Sequence, residues 1–259
     1  MNAVITAGGT PRPGEPLYEF TRGRPKAFLE IGGKPMIQYV LDAVSDSKNI
    51  AQAVVVGLDK PYNLTCSKPI QFYPTHGDAF KNLRKGSEHL IALGKADDLA
   101  CAISSDIPGL TGTIIDWIVE ATQNLTADFF YFVIGRQVME KRYPASRRSY
   151  YWLKDVEICG ADIHVFRLSL PARREKLWDR IIESRKNAFQ QAALIGFDTL
   201  IGFLLRRWTL AETARRVSKR LNVHGEAILC PYAEAGMDVD KPAQYDIIRQ
   251  DLTSKSAHV

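Results

Sequence analysis

The stretch NAVITAGGTPRP, residues 2–13, decides how the rest of the chain is read. Residues 2–7 (NAVITA) are an apolar run of strand type, and the run stops at Gly8-Gly9. A glycine pair after a strand lets the backbone come close to a neighbour, because no side chain stands between them. That neighbour is either a phosphate held by backbone N–H groups or another piece of the protein met in a tight turn. Taken alone, the pair favours the turn. It opens neither a Walker loop, because no G-x-x-x-x-G-K-[ST] is present, nor a Rossmann fingerprint, because the third glycine is missing.

Outward from this stretch, strand and helix signals alternate. Residues 33–45 place Met36, Ile37, Val40, Leu41 and Val44 on one helical face. Residues 52–57 and 70–74 read as strands, 78–93 as a helix and 99–104 as a strand. Residues 111–124 read as a helix capped by Thr111, and 127–134 as a strand. This alternation implies βαβ units and a mostly parallel sheet, in which ligands bind at the carboxyl ends of strands. Gly8-Gly9 and Ser105-Asp106 both fall at such ends. Residues 136–155 are basic and aromatic, and 161–167 return to a strand. Helical patterns follow over about 171–186, 188–207 and 210–221, then a strand over 225–231 and a closing helix over 242–252. The expected fold is α/β: a single domain over residues 1–259 with a helical insert over about 170–222.

The chain has 259 residues, 46% of them apolar and 24% charged, with a net charge of +5. These values suit one soluble α/β domain and exclude global disorder. The basic excess suits an anionic partner. The four cysteines are scattered and form no C-x-x-C pair, which speaks against a zinc or redox site. Buried thiols at Cys101 and Cys159 suggest a reducing, cytoplasmic setting. No secretory pattern is read at the N-terminus, and no apolar window reaches the length of a membrane span.

Three groups of residues bear chemistry. Arg12 and Lys26 bring positive charge a short loop away from Gly8-Gly9, and Pro25 stiffens the approach of Lys26. Asp106, in AISSDIPGLT, ends an apolar strand and reads either as a hard-oxygen metal ligand or as a turn and cap residue. Asp238 and Asp240, in GMDVDKP, point the same way from an extended segment and read either as ligands or as surface residues before a helix.

Order and spacing together carry a resemblance. Ala7-Gly8-Gly9-Thr10-Pro11-Arg12, then Pro25-Lys26-Ala27-Phe28-Leu29, then Gly33-Lys34-Pro35-Met36 resemble the opening of the MobA-like NTP transferases and the sugar-phosphate nucleotidyltransferases. The family pattern is a strand, A-G-x-G-x-R, a loop, P-K-x-L and a G-x-P-[ML] helix start. Thr10 departs from it, standing where the family has its second glycine, and Lys241 replaces a usual threonine near the end. The resemblance implies a Rossmann-like three-layer α/β/α fold with a mostly parallel mixed sheet. It implies Mg²⁺-dependent transfer of NMP from an NTP to a phosphorylated small-molecule acceptor, with release of pyrophosphate.

By the same resemblance, Ala7, Gly8, Gly9 and Thr10 face the triphosphate, while Arg12 and Lys26 act on the reacting phosphates. Asp106 and Asp240 hold Mg²⁺, and Asp238 supports them. Gly77, Asp78 and Asn82 lie near the base or ribose, and Lys154 and Asp162 face the acceptor. A capped surface helix reads residues 77–82 equally well, and Lys154 also reads as a solvated lysine. Two rival readings stand beside the transferase: a nucleotide-sugar-dependent glycosyltransferase and a non-catalytic nucleotide-binding regulator. A nucleic-acid partner is not expected, since the basic residues are scattered. The apolar-then-basic stretch before residue 221 reads as packed helices with basic outer faces in preference to a membrane contact. Neither the base nor the oligomeric state is legible.

Overall fold

The computed structural model describes residues 1–94, 96–173, 202 and 205–256. In chain order the elements are β1 (Asn2–Thr6), α1 (Tyr18–Thr21), β2 (Glu30–Ile31), β3 (Lys34–Pro35), α2 (Met36–Asp46), β4 (Gln52–Val56), β5 (Ile70–Tyr73), α3 (Ala79–Leu93) and β6 (Leu99–Ser104). They continue with α4 (Gly112–Glu120), β7 (Phe129–Gly135), α5 (Arg136–Arg142), β8 (Tyr151–Trp152), β9 (Glu157–Gly160), β10 (Ile163–Arg167), α6 (Leu170–Arg173), α7 (Leu210–Leu221), β11 (Gly225–Cys230) and α8 (Pro242–Ser256).

Side-chain alternation in the strands builds the layers. Ala3 and Ile5 of β1, Ala53 and Val55 of β4 and Cys101 and Ile103 of β6 share one core with Ile37, Val40, Leu41 and Val44 of α2 and Ile114, Ile115 and Ile118 of α4. Val4, Val54, Val56 and Ala100, the residues between them, join Leu90 of α3 on the opposite face. The result is helix, sheet, helix. Asp78 caps α3 by accepting from the N–H groups of Phe80 and Lys81, and Thr111 caps α4 by accepting from Ile114 N–H. The helix expected from residue 33 begins at Met36 instead. Gly33 has φ +79° and closes the β2–β3 turn, a backbone state that a helix cannot continue.

The nine-stranded sheet runs β5-β4-β1-β6-β10-β7-β9-β8, with β11 added on β7. Pairing is parallel across β5, β4, β1 and β6 and between β7 and β11. It is antiparallel where β10 and β9 are inserted, so the sheet is mixed and mostly parallel, as expected. The β9 strand and the β2–β3 hairpin were not expected. Both are too short to show a period. The carboxyl ends of β1 and β6 and the start of β10 meet at one edge, because Thr6 pairs with Ser104 and Ile163 with Ile103. Of the expected helical insert, the patterns over 171–186 and 188–207 lie largely outside the described residues; α6 and α7 are its described ends.

Candidate functional site

The glycine lip is built by close packing. A Cβ on Gly8 would stand 2.5 Å from Asn82 Nδ2 and 2.7 Å from Thr75 Oγ1, so the 75–82 turn lies directly on the lip. A Cβ on Gly57 would stand 2.2 Å from Gly8 N, and Gly57 has φ +127°, so the lip is backed by a second glycine on the neighbouring strand end. Around Gly9 there is open space. The Lys26 N–H donates to the Gly9 carbonyl at 2.8 Å, which ties the Pro25-Lys26 segment to the lip through the backbone.

That tie aims Lys26 across the sheet edge. Its Nζ stands 2.5 Å from Asp106 Oδ2 and 2.5 Å from Asp240 Oδ1. Ser104 Oγ donates to Asp106 Oδ1, and the Asp106 carbonyl accepts from Val239 N–H at 2.9 Å. The second bond locks the 104–106 strand end to the 238–240 segment. Gln244 of α8, itself buried, accepts from Asp240 N–H and donates to Asp238 Oδ1. Asp162 enters from β10: Ser104 N–H donates to its carbonyl, and its own N–H donates to Ala235. Arg148 completes the group by pairing with Asp238 and approaching Asp162 Oδ2 at 3.9 Å.

Four carboxylates therefore face two cations, Lys26 and Arg148, and the imbalance shows in their protonation. Burial works against the Lys26 charge, but Asp106 and Asp240 outweigh it and hold the ammonium above its ordinary value. Asp240 is held below the usual carboxylate range: burial opposes this, and Lys26 prevails. Asp238 is pushed up to about 7 by burial, which Arg148 only partly offsets, with Asp240 and Asp106 adding to the push. Asp162 is raised well above the usual range by burial, then by Asp238 and Asp106.

The structure thus brings together Gly8, Gly9, Lys26, Asp106, Asp162, Asp238 and Asp240. Thr10 and Arg12 are exposed on the loop that follows Gly9, and Arg12 makes no ion pair with any described residue. Ala7 is buried and donates its N–H to Val56. Asp78 spends its carboxylate on the α3 cap and on Lys81. Asn82 is 1% exposed, and its amide serves Thr75 and the His76 N–H, so it shapes the turn that roofs Gly8. Gly77 (φ +112°) is exposed beside them. Lys154 sits apart from the carboxylates, exposed on the β8–β9 turn, where it lines a cleft of about 800 Å³ with Arg136, Arg206 and Leu229. Cys101 and Cys159 are buried free thiols, as expected.

Gly57 was missed as a site residue, and Arg148 stood out in the sequence only together with Arg142 and Arg147, as three arginines that either reach an acidic acceptor or solvate a loop. Arg148 belongs to a run with Arg142 and Arg147, and only its pairing separates it. Arg142 goes instead to Glu234 and Asp251, and Arg147 is exposed.

The family model for the MobA-like NTP transferase domain matches residues 3–239. No curated protein sequence matches the chain. Among solved structures, a hypothetical transferase from Thermus thermophilus is 27% identical with a TM-score of 0.80, covering 95% of this chain and 100% of its own. A CMP:2-keto-3-deoxy-manno-octonic acid synthetase complexed with CTP shares the fold at 15% identity, with a TM-score of 0.62 and 98% of each chain covered. A 4-diphosphocytidyl-2C-methyl-D-erythritol synthase from Anaerococcus prevotii does so at 12% identity, with a TM-score of 0.54 and 97% of each chain covered. With the family matched over nearly its whole length, the chain belongs to the MobA-like NTP transferase family and is a nucleotidyltransferase.

Proposed function

We propose that the protein transfers NMP from an NTP to a phosphorylated small-molecule acceptor with release of pyrophosphate, and that it uses Mg²⁺. The observation that carries this reading is Lys26 Nζ, 2.5 Å from both Asp106 and Asp240 and tied by its backbone to Gly9. One ammonium and two carboxylates converge beside an open glycine lip, the place a triphosphate would need.

The side chains present fit Mg²⁺. Every donor in the group is a carboxylate, the hard-oxygen chemistry that Mg²⁺ takes. Lys26 and Arg148 leave the four carboxylates short of positive charge, and the buried Asp162 Oδ2 accepts no hydrogen bond. No group of three His, Cys, Asp or Glu side chains arranged to hold a metal occurs among the described residues. Asp106 and Asp240 would therefore hold the ion with help from nucleotide phosphate oxygens. When bound, Mg²⁺ neutralises charge on the reacting phosphates.

The chain's own part is positioning and charge. The open Gly9 and Thr10 backbone would receive the triphosphate. Lys26 would turn its ammonium from the carboxylates to phosphate oxygens, and Arg12 would reach them from the exposed loop. The acceptor would approach from the side of Asp162 and Lys154.

A thermal-shift panel of ATP, GTP, CTP and UTP, each with Mg²⁺ or with EDTA, tests the binding half of the proposal. CTP comes first, because the solved neighbours include proteins described as cytidylyl-transferring enzymes or holding CTP. One nucleotide should raise the melting temperature with Mg²⁺ and do so far less with EDTA, and Asp106→Asn should lose that difference. No shift with any nucleotide, or an equal shift in Asp106→Asn, overturns it. Pyrophosphate release on adding candidate acceptor phosphates tests the chemical half.

A further inference from the structure

The segment from Leu205 to His224 holds six cations, Arg206, Arg207, Arg215, Arg216, Lys219 and Arg220, against one carboxylate, Glu212. Its net charge of +5 equals that of the whole chain, so the rest of the molecule is balanced. All six cations are exposed, and none forms an ion pair with a described residue. Glu212 is engaged elsewhere: it accepts from the Thr209 N–H in a capping box that starts α7. The inner side of α7 lies on β11, and Leu210 packs with Val133, Leu153 and Ile158. Arg215 and Lys219, and Arg216 and Arg220, each one turn apart, stand on its outer side.

Exposed apolar groups accompany this charge. Tyr151 is 65% exposed, Trp152 46% and Leu205 61%. The Arg206 guanidinium lies 4.1 Å above the Trp152 ring, and Arg216 lies 3.5 Å above the Trp208 ring. Indole rings under guanidinium groups, beside an exposed leucine, match the composition of surfaces that sit at a lipid headgroup layer. A polyanion such as RNA would satisfy the arginines but offers nothing to Leu205. Among the described residues no helix is long and apolar enough to cross a membrane, so the contact would be peripheral.

We propose that the outer side of α7, with Arg206, Trp152 and Leu205, docks on an anionic membrane surface. The cations supply attraction to acidic headgroups, and the rings and Leu205 enter the interface. The basic outer side read from the sequence is kept; its occupant is the lipid surface. The start of α7 adjoins the cleft lined by Lys154, since Lys154 N–H donates to the Trp208 carbonyl and Leu210 N–H to Asp155. Docking would therefore set that cleft beside the headgroups. The proposal stands apart from the choice of nucleotide and acceptor.

Flotation of the full chain with vesicles tests it, using phosphatidylcholine alone and phosphatidylcholine mixed with phosphatidylglycerol. The protein should float with the anionic vesicles only, and raising the salt should release it. Arg215→Glu with Lys219→Glu should weaken flotation at least about tenfold, while an unchanged circular dichroism spectrum and melting temperature report that the variant is folded. Leu205→Ser with Trp152→Ala should lower the salt concentration at which the anionic vesicles release the protein. Equal flotation on both vesicles, no flotation, or an unaffected charge-reversal variant overturns the proposal. Retention on duplex RNA without flotation overturns it in favour of a nucleic-acid partner. Salt release of the unmodified protein serves as a test that needs no variant.

Discussion

The two halves of the sheet deliver charge to the same edge by opposite routes. Across β5, β4, β1 and β6 all strands run together, so polar groups leave at carboxyl ends: Gly8 after β1, Gly57 after β4, Asp106 after β6. Beyond β6 the antiparallel β10 reverses the direction, and Asp162 reaches the edge from the start of a strand. The routes have different electrostatic consequences. Asp106 and Asp240 share the Lys26 ammonium, which keeps Asp240 ionised. Asp162 and Asp238, further into the second half, share only Arg148 and are pushed toward the protonated state. Asp240 is held as an anion, while Asp162 and Asp238 are short of positive charge.

The difference breaks most readily on the carboxylates. Asp106→Asn and Asp240→Asn should each weaken Mg²⁺-NTP affinity at least about 100-fold by calorimetry, and Asp162→Asn less than about tenfold. Both sets should melt within a few degrees of the unmodified protein. If Asp162→Asn proves the costlier change, the nucleotide belongs to the second half and the assignment is reversed.

A backbone test follows. Gly57→Ala forces φ +127° on a residue with a side chain and drives a Cβ against Gly8 N. The cost should be about 3 kcal/mol, read as a lowered melting temperature, because the neighbour is backbone and cannot give way. Gly9 is the control, since a methyl there meets nothing within 4 Å. Gly9→Ala should melt like the unmodified protein yet bind Mg²⁺-NTP more weakly. If it binds normally, the lip is a structural turn and nothing more.

The two halves were also unequally legible in the sequence. Strand-end signals such as ITAGG and AISSD are local: apolar alternation followed by residues that cannot continue a strand. Lys26 stood out through its spacing from Gly8-Gly9. Its contact with Asp106 and Asp240, 80 and 214 positions away, is tertiary and leaves no local mark. Gly57 has no motif around it, and its requirement exists only because Gly8 lies against it. Asp162 was a candidate, but the antiparallel entry of β10 that turns it toward Ser104 could not be read from IHVFR. Arg148 resembled its basic neighbours until Asp238 and Asp162 singled it out.

Histidine chemistry gives a pH test confined to the second half. His164 of β10 accepts from the Phe132 N–H and stacks on Tyr131 at 4.6 Å. Burial lowers its pKa from 6.5 to about 4. The unfolded chain therefore binds a proton in this window that the folded chain refuses. His164's contribution to stability is complete above about pH 6.5 and is lost as the pH falls toward 4. His164→Gln should flatten the melting curve over that window, with a difference on the order of 2 kcal/mol at the acid end. Asp238 acts in the opposite sense, because its raised pKa adds stability as the pH falls from about 7, and the raised pKa of Asp162 acts in the same direction as Asp238. The comparison is therefore between variant and unmodified slopes, and parallel slopes would place the His164 ring in contact with water.

The smallest effect asks whether the two halves are energetically separate. Thr209 caps α7 by accepting from Glu212 N–H, while the Glu212 carboxylate accepts from Thr209 N–H. Thr209→Ala removes one side of this box and should cost about 1 kcal/mol. That is too little to unfold a chain of this size but enough to loosen one helix end. Hydrogen exchange at the amides of Ala211, Glu212 and Thr213 should quicken about fivefold. The amides of β1 and β6 should be unchanged, and so should the nucleotide thermal shift. If exchange also quickens at Ser104, which is bonded to Asp162 at the junction of the halves, α7 and the carboxylate edge open as one unit, and the division drawn between them fails.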